Sequence, residues 1–80
     1  MQQHKIKVYS TPSCPWCHIA KNFLKEHGFE FQEINVAEDE KAAEEMIKKS
    51  GQMGVPVIEI DDQIIIGFNE QKIKKILGIR

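Results

Sequence analysis

One stretch, KIKVYSTPSCPWCHIAKNFLKEHG (residues 5–28), constrains this chain more than any other. It runs from a strand pattern into a helix pattern, with both cysteines of the chain at the junction. In KIKVYS, Ile6 and Val8 alternate with polar residues, the period of a strand with one buried face. From Pro15 onward, Ile19, Ala20, Phe23 and Leu24 recur at helical spacing, and Gly28 supplies a left-handed stop after His27. A strand feeding directly into a helix points to a layered arrangement of helices on a sheet.

The remaining sequence continues the alternation. FEFQEINV (residues 29–36) returns to strand character, and Ala42, Ala43, Met46 and Ile47 mark a second helix from about Asp39 to Ser50, stopped by Gly51. VIEI (residues 57–60) and QIII (residues 63–66) are two strands around an Asp61–Asp62 turn, and Asn69 can cap a last helix carrying Ile73, Ile76 and Leu77. The order β-α-β-α-β-β-α predicts a single α/β domain over residues 1–80: a four-stranded mixed sheet with helices on both faces. A chain of 80 residues can build a small core. A net charge of -1 argues against a general nucleic-acid binder. No apolar run approaches the roughly 20 residues a membrane span needs. The start, MQQHKIKVYS, lacks the apolar stretch of a signal peptide, so the expected address is the cytosol. Stable structural disulfides are rare there.

That raises the question of why both cysteines stand three positions apart. A structural disulfide stabilises mainly by closing a loop of the unfolded chain, and linking Cys14 to Cys17 closes almost nothing. Chemistry explains the spacing better. Pro15 suits the first helical position, which makes Cys14 the N-cap. The N–H groups of Trp16 and Cys17 are the expected donors to its sulfur. Those bonds and the positive end of the helix dipole favour a thiolate at Cys14, the attacking species in thiol–disulfide exchange. Cys17, one turn on, has fewer donors and is expected to be more buried. Cys14 would attack a disulfide and form a mixed disulfide; Cys17 would then attack Cys14 and release the reduced substrate. A C-x-x-C pair between a strand and a helix is a redox arrangement. Zinc is the rival reading, but a structural site takes four ligands, and His4, His18 and His27 lack obvious partner spacing.

A second informative stretch is MGVPV (residues 53–57), in which Pro56 directly precedes the third strand. Only about 5–6% of X-Pro bonds are cis, so the residues alone leave Val55–Pro56 trans. Together, YSTPSCPWC, the element order, and GVPVIEID followed by IIIGF resemble the glutaredoxin branch of the thioredoxin-like fold over nearly the whole chain. CPWC is similar to the CPYC of dithiol glutaredoxins. The resemblance implies a cis Val55–Pro56 bond facing the cysteines. It also implies a Val55 backbone that pairs with bound substrate, and a site shaped by Pro15, Trp16, Val55 and Pro56.

The sequence departs from that family where glutathione is usually gripped. Thr11 stands where a lysine is typical, Gly54 where threonine is frequent, and Met53 where some members are basic. After the fourth strand the run is Gly67, Phe68, Asn69, Glu70 in place of a double glycine with acidic residues. PVIEIDD and GF look more like the redoxins that serve ribonucleotide reductase and take electrons from thioredoxin reductase. The resemblance thus implies a monomeric oxidoreductase acting on disulfide-containing proteins or glutathione-mixed disulfides. Its reductant would be thioredoxin reductase or glutathione, with no bound cofactor or metal. The alternative is an iron–sulfur or metal carrier using the Cys14 thiolate, which Pro15 disfavours by stiffening the loop.

Outside these stretches the expectations are structural. Phe23, Phe29 and Phe31 read as core, and Phe68 as packing on the helix that follows it. Trp16 serves docking or shielding equally well. His18 is expected on a solvated helix face, His27 at a helix end, and His4 in a loose terminus. Glu44–Lys48 and Glu45–Lys49 are i,i+4 pairs. Lys72, Lys74, Lys75 and Arg80 complement the end of the last helix.

Overall fold

The computed structural model describes residues 4–78. Its elements are β1 (Ile6–Ser10), α1 (Pro15–Glu26), β2 (Gln32–Asn35), α2 (Glu40–Ser50), β3 (Val57–Ile60), β4 (Gln63–Ile66) and α3 (Glu70–Leu77). The sheet order is β2-β1-β3-β4. β1 pairs in parallel with β2 and antiparallel with β3, and β3 pairs antiparallel with β4, so the sheet is mixed as expected.

Strand alternation sorts the side chains into two layers. Ile6, Val8, Ile58, Ile60 and Ile65 meet Ala20, Phe23 and Leu24 of α1 and Ile73 and Leu77 of α3. Tyr9 and Val57 meet Ala42 and Met46 of α2 on the other face. Each large aliphatic side chain buried here contributes about 1.5–3 kcal/mol. Lys49 ties α2 to the sheet, with its ammonium 2.8 Å from Glu45 one turn back and 2.8 Å from Glu59 of β3.

The helix ends follow local chemistry. Asp39 accepts from Ala42 N–H and Asn69 from Lys72 N–H, each as an N-cap. Gly28, at φ 77°, closes α1 with its own N–H on the Lys25 carbonyl and Phe29 N–H on the Leu24 carbonyl.

That cap corrects the expected second strand. Phe29 is held at the end of α1, so β2 begins at Gln32 rather than residue 29, and Phe29 and Phe31 pack only partly buried against the core. Of the apolar residues that mark the two helices, Ile19 and Ile47 are exposed, while Ala20, Phe23, Leu24, Ala42 and Met46 are buried. Of the α2 ion pairs expected, Glu45–Lys49 forms, and Glu44–Lys48 is not among those of the described residues.

His4 is not loose. Its Nδ1 lies 2.6 Å from Asp61 Oδ2, Lys5 N–H donates to Asp61 Oδ1 at 2.8 Å, and Asp61 N–H returns a bond to the Lys5 carbonyl. The Lys5 N–H, and then His4, hold the Asp61 carboxyl below its ordinary range. Arg80 lies outside the described residues.

Candidate functional site

The loop from β1 into α1 sets the two cysteines on different footings. Cys14 is extended (φ -93°, ψ 109°) and caps the helix, with Pro15 following in the first turn. Its sulfur accepts Cys17 N–H at 3.2 Å. Of the two donors expected, only Cys17 supplies a bond, because the cap side chain reaches the third N–H of the helix rather than Trp16 N–H. Cys14 N–H bonds back to the Thr11 carbonyl at 3.3 Å, and His18 Nε2 donates to the Pro12 carbonyl at 3.1 Å. His18 is therefore solvent-exposed but bonded, and it braces the loop before Cys14.

Cys14 is partly exposed, whereas Cys17 is fully buried and both are free thiols. Burial, together with the Cys14 side chain beside it, pushes the Cys17 thiol up to about 11. The Thr11 backbone and the Lys21 ammonium pull the other way. The arrangement separates an accessible sulfur from one shielded inside the helix face.

The second part of the site comes from the segment between α2 and β3. The Val55–Pro56 bond is cis, as the resemblance implied and the residues alone did not. The Cys14 thiol donates to the Val55 carbonyl at 3.8 Å, which puts residues 41 positions apart in contact. Pro56 is buried behind Val55, and its carbonyl accepts Gly67 N–H at 2.8 Å.

Polar contacts hold this strap from its α2 end. The Ser50 hydroxyl donates to the Met46 carbonyl at 2.7 Å, lies 3.0 Å from the Gln52 carbonyl and accepts Gln52 N–H, and the Gln52 amide donates to the Gly54 carbonyl at 3.0 Å. A Cβ at Gly54 would stand 3.1 Å from Gln52 Oε1. The Gln52 amide therefore lies against the space that a threonine at Gly54 would need.

The rim is apolar and aromatic. Trp16 is 58% exposed and stacks on Phe68, with ring centroids 6.4 Å apart, and Phe68 sets its edge against Phe23 at 5.6 Å. Phe68 thus packs on the core cluster that holds Ile73 and Leu77 of α3, as expected, and also reaches α1 beside the site. Met53 is 78% exposed on the loop before Gly54. His27 stays structural, its Nδ1 donating to the Phe23 carbonyl at 2.9 Å. Among the described residues no group of three or more His, Cys, Asp or Glu side chains is placed to hold a metal ion. No described helix is long and apolar enough to cross a membrane.

The structure brings Cys14, Cys17 and Val55 into contact, buries Pro56 behind Val55, and leaves Pro15 and Trp16 exposed at the helix start. Sequence reasoning missed Ser50 and Gln52, whose role comes from bonds to a loop whose path it did not resolve. It also missed Lys21. Four positions after Cys17, Lys21 lies on the same helix face, but a charge is ordinarily read as solvated.

Comparison with known proteins places this geometry. A family model described as Glutaredoxin matches residues 6–65. An uncharacterized glutaredoxin-like 8.6 kDa protein in the rubredoxin operon of Clostridium pasteurianum is 53% identical over 72 residues, 90% of this chain and 96% of that one. Glutaredoxin 3 of Escherichia coli (strain K12) is 42% identical over 65 residues, 81% of this chain and 78% of that one. Among solved structures, the glutaredoxin-like protein NrdH-redoxin from Escherichia coli, described with a thioredoxin-like activity profile, superimposes with a TM-score of 0.80 at 31% identity. That match covers 89% of this chain and 92% of that one.

Proposed function

The chain belongs to the glutaredoxin family, and from that premise we propose that it reduces protein disulfides, or disulfides mixed with glutathione, through Cys14 as nucleophile and Cys17 as resolving thiol. The observation that carries this is the contrast between the partly exposed Cys14, whose sulfur accepts Cys17 N–H at 3.2 Å, and the buried Cys17 beside it. The Cys14 thiolate attacks a substrate disulfide, forming one new S–S bond and expelling one thiolate. Cys17 gives up its proton and attacks the Cys14 sulfur, closing Cys14–Cys17 and expelling the second substrate thiolate. Both electrons then reside on the substrate. The dithiol is the carrier, so no bound cofactor is needed. The Val55 backbone, in contact with Cys14, is the proposed pairing partner of an extended substrate strand, with Pro15, Trp16 and Pro56 shaping the opening.

Thioredoxin reductase is the favoured electron donor, with glutathione the alternative. Thr11 stands where a lysine is typical of the family and Met53 where some members are basic, so two usual cationic holds on glutathione are replaced by uncharged side chains. The thioredoxin-like profile of the Escherichia coli NrdH-redoxin points the same way. The protein is proposed to act as a monomer in the cytosol.

Two parallel assays following NADPH consumption with insulin as disulfide substrate test this. One contains thioredoxin reductase, the other glutathione with glutathione reductase. Turnover confined to the first supports the favoured donor, and turnover confined to the second overturns it in favour of glutathione. No turnover in either sinks the oxidoreductase reading.

A further inference from the structure

We propose that Lys21 and Glu33 together set the pace of the resolving step, Lys21 assisting Cys17 as a positioning cation and Glu33 restraining that assistance. This rests on the reading of Cys17 as the resolving thiol.

Cys17 and Lys21 stand four positions apart on α1, hence on one face. Both are turned inward: Cys17 is fully buried and Lys21 is only 8% exposed. Lysine is seldom buried so far, and its ammonium then requires a partner. The partner is Glu33 of β2, whose Oε1 lies 2.9 Å from Lys21 Nζ and whose side chain is half exposed. A cation fixed one helical turn beyond the thiol favours the charged form of that thiol. Such charges are screened less than surface pairs. Glu33 neutralises part of that field.

The remaining charged and titratable groups are few. Cys14 borders Cys17 on the same element, and Lys25 and His18 act on Glu33 from α1. Burial, the largest cause of the raised Cys17 pKa, keeps the Cys17 thiolate a small minority at pH 7. A small change in the local field therefore changes the attacking population directly.

The two partners make opposite predictions. Lys21→Met and Glu33→Gln break the same ion pair. A purely structural pair would slow the reaction in both, or leave it unchanged in both. An electrostatic role slows resolution in one and quickens it in the other.

The reduced protein is mixed with excess 5,5′-dithiobis(2-nitrobenzoic acid) in a stopped-flow instrument between pH 6 and 10. Cys14 expels one thionitrobenzoate on attack, and Cys17 expels the second as it closes Cys14–Cys17, so the second phase reports resolution. Lys21→Met is expected to slow that phase about three- to tenfold and move its pH profile to higher pH. Glu33→Gln is expected to quicken it and move the profile to lower pH. Lys21→Arg, which keeps the charge, is expected to retain the parent profile, and if Lys21→Met does not fold, the sign of the Glu33→Gln shift decides the matter. Shifts of the same sign in Lys21→Met and Glu33→Gln, or no shift in either, overturn the proposal while leaving the oxidoreductase reading intact. A parent protein that shows no second phase, or a Cys14→Ser variant that keeps both phases, breaks the assignment of roles on which the proposal stands.

Discussion

The two halves of the site are built by different means. At the helix start, residues 11–18 make most of their hydrogen bonds among themselves: the Thr11 carbonyl with Cys14 N–H, the Cys14 sulfur with Cys17 N–H, His18 with the Pro12 carbonyl. The strap of residues 50–56 is held from two sides, by Ser50 and Gln52 at the end of α2 and by Gly67 N–H on the Pro56 carbonyl. The first half carries reactive groups whose state follows from local geometry. The second presents backbone, and its use depends on where the rest of the fold puts it. Under the proposed function the first half would carry the chemistry and the second the recognition, and substitutions test that division.

The largest effect is expected from Cys14→Ser. Loss of the nucleophile lowers turnover in the coupled assay about a thousandfold or more. Appreciable catalysis by that variant would remove the helix start from its place in the comparison. Cys17→Ser ranks next. Its first attack survives, turnover on protein disulfides halts after one event, and mass spectrometry finds the substrate joined to Cys14. Free Cys14 after exposure to a protein disulfide would count against the division of labour.

Acidity sharpens the contrast within the helix start. Burial, and then the Cys14 side chain, push the Cys17 thiol from an ordinary value of 9.0 up to about 11 in the folded protein. The folded form holds its proton longer, so this stability is fully present below pH 9 and is lost as pH rises through 11. The amount is about 2–3 kcal/mol. Urea unfolding of the dithiol form at pH 8 and pH 10.5 is expected to show a steeper decline than Cys17→Ala does. Identical declines would mean that the burial of Cys17 carries no such cost.

The strap is probed by Gln52→Ala, which removes the bond to the Gly54 carbonyl. One hydrogen bond is worth about 0.5–1.5 kcal/mol, so KM for a protein disulfide is expected to rise about two- to tenfold with kcat nearly unchanged. A fall in kcat with constant KM would show that the strap takes part in the chemical step, and the two halves would no longer be separable.

Much of the molecule was legible in the chain. The alternation of Ile6 and Val8, the helical recurrence of Ala20, Phe23 and Leu24, the second helix read from about Asp39 and the cap at Asn69 are local signals, and each led to the element observed. The start of β2 was misjudged because Phe29 satisfies a strand pattern and a helix cap equally well, and the cap won through its bond to the Leu24 carbonyl. His4 gave no hint of Asp61, a partner 57 positions away.

The same division runs through the site. Cys14 as N-cap, with Pro15 behind it and Cys17 one turn on, depends on backbone spacing of a few residues, so the sequence by itself determined it. Tertiary structure alone decided that the Val55 carbonyl faces Cys14, that Phe68 bridges Trp16 to Phe23, and that the ammonium of Lys21 turns inward to Glu33. Those contacts join residues distant in the chain. Their energies arise only once the sheet has fixed where each element lies, and nothing in local propensity encodes that distance.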